Sequence, residues 1–305
     1  MAGHHHHHHV DADAGDRRVA AAIGVNVLLT VAQIVGGLVS GSLALIADAI
    51  HNLSDALALV IALAARKIAR RPADETMTFG YGRAEVVAAL INYTTLIVIG
   101  IWLAYEGTVR LFAPEPVAGW IMVWIAALAL VIDLATAALT YAMSKSSMNI
   151  RAAFLHNVAD ALGSLAVIVA GSLILLYGWV WLDAVVTLAI AGYILWQSVA
   201  EICPVIRLLM LGSPPQLDGT RLVAAMREVE GVAGVHHVHL WMIDENRPAL
   251  DAHVVIAPAQ WEQADRIKAD LRRRLEAEGI AHSTLEIERT AEACAPGQTF
   301  GGAPG

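Results

Sequence analysis

The chain has 305 residues, 57% of them apolar and 16% charged, and a mean hydropathy of +0.58. That is too oily for an ordinary soluble domain and fits an integral membrane protein with a soluble part. A formal net charge of −8 argues against a nucleic-acid partner, and two cysteines, Cys203 and Cys294, exclude a disulfide framework or a four-cysteine zinc centre.

Residues 1–16 carry the run His4 to His9, which reads either as an expression tag or as a native metal-collecting tail and is left out of the fold. Six apolar segments follow, about Val19 to Val39, Ser42 to Ala65, Ala84 to Leu111, Val117 to Met143, Ile150 to Tyr177 and Leu182 to Leu211. Each reaches the roughly 20 residues a helix needs to cross the hydrocarbon core, so residues 17–211 are expected to form a six-helix transmembrane domain. A cleavable leader is not expected before them, and the first span is expected to act as the insertion signal.

Arg17, Arg18, Arg66, Lys67, Arg70, Arg71, Arg83, Lys145, Arg151 and Arg207 all fall on one side of these spans. The positive-inside rule then puts both termini in the cytoplasm, with a bacterial inner membrane as the default location. On the other side Arg110 stands nearly alone, with Glu106 one turn earlier as its expected mate. Asp183, near the outer end of the sixth span, reads as a charge at a helix N-terminus.

Gly212-Ser213-Pro214-Pro215 ends the apolar part, and residues 212–290 form a polar domain. Arg221 to Glu230 reads as helix and Val235 to Ile243 as an alternating strand, with Val235, His237, His239 and Trp241 on one side and His236, Val238, Leu240 and Met242 on the other. Leu250 to Ile256 is a second strand, Gln260 to Ala277 a charged helix and Ser283 to Glu288 a third strand. That order predicts a small α+β sandwich of ferredoxin-like type. The tail 291–305, rich in Gly, Pro and Ala, is expected to be loose.

The chemistry concentrates in two apolar helices. His51 and Asp55 are four apart in the second span, and His156 and Asp160 repeat the spacing in the fifth, so each pair shares a helix face. An ionisable residue near mid-membrane costs roughly 2.5 to 3.5 kcal/mol on insertion scales. One such pair could be glue between helices; two matching pairs on separate spans point to function. Two imidazoles and two carboxylates suit a tetrahedral divalent ion such as zinc. Asp48, three residues before His51, and Asp133 in the fourth span read as neighbouring proton-relay groups or as bonds to an adjacent helix.

Gly41 to Asp55, Phe79 to Glu85, His156 to Asp160 with Leu162-Gly163-Ser164, Val235 to Trp241 and His282 to Glu288 resemble, in order, five characteristic stretches of the cation diffusion facilitator transporters. The likeness runs from about Val19 to Arg289. It implies six membrane helices, a cytoplasmic metallochaperone-like domain, a homodimer, and export of zinc or similar ions against protons, with His51, Asp55, His156 and Asp160 as transport-site ligands. His51 in the first ligand position favours zinc, while Asn52 and Asn157, beside the ligands, could admit cobalt or nickel. The loop Arg66 to Glu85 has Asp74 but no histidine, so an extra loop site of some members is expected to be absent or weak. In the cytoplasmic domain His236, His253 and Glu288 form a candidate regulatory zinc site, although Glu286 and Glu288 stand where ligating members have His and Asp.

Histidine must be neutral and carboxylates ionised to bind metal, so zinc competes with protons, and an unperturbed imidazole near ~6.5 makes that exchange physiological. Gly24, Gly36 and Gly37 are expected to let the first helix pack closely. An intramembrane metal-dependent hydrolase is the rival class, but it needs an open metal position and a base, as in His-Glu-x-x-His, which is absent. A non-transporting metal sensor is the other. From Gly212 on, 14 acidic residues face 9 basic ones, so two such domains in a dimer would repel, and a metal between them would draw them together.

Overall fold

The computed structural model describes residues 12–144, 148–290 and 298–301. Six long helices come first: α1 (Ala12–Ser40), α2 (Leu43–Ala69), α3 (Ala84–Phe112), α4 (Gly119–Ser144), α5 (Met148–Tyr177) and α6 (Trp181–Leu209). Five of them, α2 to α6, are long and apolar enough to cross a membrane, and α1 adds a shorter apolar stretch, Val27–Ser40, among the described residues. The expected boundaries hold to within a few residues except at α1, which begins well before Val19. The chain divides into two compact units, Met1–Val60 with Asn92–Val199, and Ile61–Ile91 with Ala200–Gly305.

In the first unit the interior is built from small and apolar residues. Ala44, Leu45, Met122, Ala126, Val167 and Ala170 make one buried cluster, and Leu43, Ala47, Leu103 and Ile194 belong to another. Leu28, Leu38, Trp124, Leu128, Val131 and Trp196 point outward, as helices solvated by lipid require. Small residues set how close the helices come. A Cβ on Gly36 would collide with Ile125 of α4, whereas Gly24, expected to do the same job, has nothing within 4 Å.

One end of this unit is fastened by one carboxylate. Asp183 lies in the first turn of α6, as expected of a helix-terminal charge, but it caps α2 instead. Its oxygens accept from Leu43 N at 2.8 Å, Ala44 N at 3.2 Å and Ser42 Oγ at 2.5 Å. Those are the orphan amides of a helix N-terminus. Arg110 is shared more widely than Glu106 alone: it donates to Gly41 O at 2.6 Å and lies 3.2 Å from Glu115 as well as 3.7 Å from Glu106.

In the second unit, α7 (Gly219–Arg227), β1 (Val232–Asp244), β2 (Arg247–Ile256), α8 (Ala264–Ala277) and β3 (His282–Arg289) follow in the predicted order. Asp218 caps α7 through Thr220 N and Arg221 N. The expected helix from Gln260 begins instead with a 3₁₀ turn, Pro258–Gln263, because Pro258 starts a turn before α8 takes over. The sheet order is β1-β2-β3, with β1 and β2 antiparallel and β2 and β3 parallel, the latter joined by a crossover through α8. Leu222, Met226, Leu240, Leu250, Ile267 and Leu271 fill the space between sheet and helices.

Strand β1 departs from the simple alternation. Val235, Val238, Leu240 and Met242 are all buried, so Val235 shares the core face with residues expected opposite it. The cause is a bulge between His236 and His239, with His237 at φ 52°. The supposedly loose tail partly fills the resulting gap. Residues 298–301 run beside β1, with His237 N donating to Gln298 O at 3.3 Å and Val238 N to Thr299 O at 2.9 Å. The rest of the tail, including Cys294, lies outside the described residues, as do residues 1–11 with the histidine run.

The loop before α3 belongs to this unit. Arg83 donates to Ile243 O and Met242 O, both at 2.9 Å, and Phe79 packs edge-on against Trp241 at 5.5 Å.

Candidate metal-transport site

All four residues expected at the intramembrane site converge. α2 carries His51 and Asp55 on one face and α5 carries His156 and Asp160, each pair spaced by one helical turn. His51 Nε2 lies 3.7 Å from Asp55 Oδ2 and 3.5 Å from Asp160 Oδ1; His156 Nε2 lies 3.2 Å from Asp55 Oδ2 and 3.5 Å from Asp160 Oδ2. Four ligands bound tetrahedrally at about 2.0–2.1 Å stand roughly 3.3 Å apart, close to these separations. The side chains of His51 and Asp160 are each 10% exposed, those of His156 and Asp55 35% and 36%.

Buried polar atoms normally have partners. Here His51 Nδ1 and Nε2, Asp55 Oδ2 and Asp160 Oδ1 are buried with no hydrogen bond. Three of these, His51 Nε2, Asp55 Oδ2 and Asp160 Oδ1, face one another and are what a cation would satisfy, and two carboxylates would balance a 2+ charge.

Asp48 and Asp133 are buried nearby but engage other partners. Asp48 accepts from Gln33 Nε2 at 2.6 Å, and Asn52 Nδ2 donates to the same Gln33 at 3.2 Å. Asp133 accepts from Ser164 Oγ at 3.0 Å. Asn157 is half-buried on α5, next to His156. Gln33, a polar break in an apolar run, and Ser164, the last residue of the fifth-helix stretch Leu162-Gly163-Ser164, carried only weak signals of these roles. Tyr193 carried none: its ring stands edge-on to His51 at 6.1 Å, and nothing about a tyrosine in an apolar span marks it.

Asp74 proves to be a loop organiser. It accepts from Thr76 N at 2.8 Å, Thr76 Oγ1 at 2.7 Å, Met77 N at 2.9 Å and Tyr81 OH at 2.7 Å. Thr76 Oγ1 foremost, then Tyr81 and the two amides, hold its carboxyl well below the usual range.

In the cytoplasmic-type domain the sheet register sets His236 opposite His253 and His253 beside Glu286, one row across three strands. His236 Nε2 is 3.4 Å from Glu288 Oε2, while His253 contacts Glu288 through Nδ1 at 2.6 Å and Glu286 through Nε2 at 3.2 Å. The group His236, His253 and Glu288 offers ligand atoms within 4.8 Å of one another, as does the group His51, His156 and Asp160.

Comparison with known proteins places this arrangement. The cation efflux transmembrane domain matches residues 19–210, and the cytoplasmic domain of cation efflux proteins matches residues 214–290. The chain belongs to the cation efflux family, the cation diffusion facilitators. It is therefore a membrane transporter and not an enzyme. It is 35% identical over 288 residues to the zinc transporter ZitB of Escherichia coli, covering 93% of this chain and 91% of that protein. It is 35% identical over 262 residues to a cadmium, cobalt and zinc/H(+)-K(+) antiporter of Bacillus velezensis, covering 85% and 84%. With the metal cation efflux system protein CzcD of Cupriavidus metallidurans it shares 33% over 276 residues, covering 90% and 86%.

Proposed function

We propose that this transporter exports zinc, with cadmium, cobalt or nickel as secondary ions, from the cytoplasm in exchange for protons, and that His51, Asp55, His156 and Asp160 hold the ion. The observation that carries the reading is the convergence of two imidazoles and two carboxylates, three of whose facing atoms are buried and unpartnered, with N···O separations of 3.2 to 3.7 Å. Facing the cytoplasm, the neutral imidazoles and ionised carboxylates take up the ion and release protons; facing outward, protons return and displace it. Asp48 and Asp133, with Asn52 and Asn157, are assigned to the surrounding polar shell and proton path, the hydrogen-bonded series Asn52–Gln33–Asp48 being its visible part.

The protein is read as a homodimer in a bacterial inner membrane with both termini cytoplasmic. His236, His253 and Glu288 are read as a regulatory zinc site, filled when the ion displaces His253 from its two carboxylates. An acidic domain would then be drawn to its dimer mate as metal offsets like charge.

The test is flux into dye-loaded proteoliposomes with zinc, cadmium, cobalt and manganese under imposed proton and, separately, potassium gradients, since the name of the Bacillus relative includes both counter-ions. Zinc flux driven by a proton gradient and lost in His51→Ala and Asp160→Ala supports the reading. Full flux in either variant refutes the site. Zinc binding without flux would favour a sensor.

A further inference from the structure

His51 Nε2 faces Asp55 and Asp160, 3.7 and 3.5 Å away, while its second nitrogen, Nδ1, is buried with no hydrogen-bond partner among the described residues. A metal-binding imidazole usually donates its second nitrogen to a carboxylate or carbonyl, and that bond fixes the ring's rotation. The torsion that rotates an imidazole is broad and roughly two-fold, so the side chain does not fix itself. For His51 the job falls to packing.

Two rings touch it. His156 lies 5.9 Å away at 68°, and Tyr193 of α6 lies 6.1 Å away at 86°, nearly perpendicular. The edge-to-face arrangement is the one aromatic quadrupoles favour. His156 belongs to the ligand set itself and must move with the ion. Tyr193 does not, and it is braced in turn by Trp196, 6.4 Å away on the same helix.

We propose that Tyr193 is a positioning residue for the transport site: its ring holds the His51 imidazole so that Nε2 faces Asp55 and Asp160. α6 supplies none of the four ligands, yet through Tyr193 it sets how rigidly one of them is presented. A fixed imidazole favours the small tetrahedral ion, and a loosened one tolerates the larger cadmium ion. This rests on the four-residue reading above.

The experiment uses the full chain in proteoliposomes with Tyr193→Phe, Tyr193→Leu and Tyr193→Met, measuring KM and kcat for zinc and cadmium. Phe keeps the ring; Leu and Met remove it, and Met still fills the space should Leu fail to fold. Expected is Phe within about 2-fold of the parent, and Leu and Met with a zinc KM raised about 10-fold, the scale for loss of a ligand-orienting partner, with kcat little changed and the zinc-to-cadmium ratio lowered. Unchanged zinc KM in Leu and Met overturns the proposal, as does a Phe variant as impaired as they are, which would give the role to the hydroxyl. His51→Ala run alongside separates the failures: full flux there removes the site reading itself, whereas lost flux there with a silent Tyr193→Leu overturns only the positioning role.

Discussion

His156 Nε2 stands closer to Asp55 on the other helix, at 3.2 Å, than to Asp160 on its own, at 3.5 Å. His51 behaves alike, 3.5 Å from Asp160 and 3.7 Å from Asp55. The site is thus woven across α2 and α5, and a small slide of one helix on the other would lengthen its shortest edges first. If the four residues hold the ion as proposed, helix displacement would change its affinity directly.

Removing one member should therefore cripple the whole. His51→Ala, Asp55→Ala, His156→Ala and Asp160→Ala are each expected to reduce zinc flux by about 100-fold or more, at or beyond the upper end of what loss of a supporting partner does. Combining two of them should add little, because groups acting as a unit are non-additive. Stopped-flow dye quenching in proteoliposomes measures both.

Zinc binding should tighten as pH rises, because imidazole must be neutral and carboxylate ionised to ligate. Calorimetry in buffers of different ionisation enthalpy is expected to detect proton release on binding, and that release should shrink in His156→Ala.

Asp183 fastens α2 to α6. Asp183→Ala leaves the Leu43 and Ala44 amides and Ser42 Oγ without their acceptor. Loss of a helix cap costs about 0.5–2 kcal/mol, and burial places this one at the upper end. Thermal unfolding in detergent should fall by several degrees, while Asp183→Asn, which keeps an acceptor oxygen, falls less.

Glu245, at the turn between β1 and β2, has its carboxyl pushed up, by partial desolvation first and then by Glu85 and Asp244. A carboxyl with a raised folded pKa contributes stability below its unfolded pKa and loses it as pH rises through the folded one. Glu245→Gln should therefore stabilise the protein slightly at pH 7, by a few tenths of a kcal/mol for so exposed a group, with the gain vanishing near pH 4. Paired melting curves at the two pH values check it.

Deleting the tail from residue 291 strips β1 of its partner at the bulge. Amide exchange at His237 and Val238 should accelerate, with a stability loss of about 1 kcal/mol per lost hydrogen bond.

The membrane helices, the order of the cytoplasmic elements and the two His-Asp pairs that converge were legible in the chain, because hydropathy reports what faces lipid and a spacing of four reports a helix face. The same rules misplaced Val235, since a bulge resets alternation without leaving a compositional mark, and they took the tail for loose because its backbone bonds to β1 depend on no particular side chain. Which carboxylate each histidine approaches, that Asp183 caps a helix some 140 residues away, and that Tyr193 faces His51 were decided by the folded chain alone. Local pattern encodes the face a residue occupies; only packing determines what meets it there.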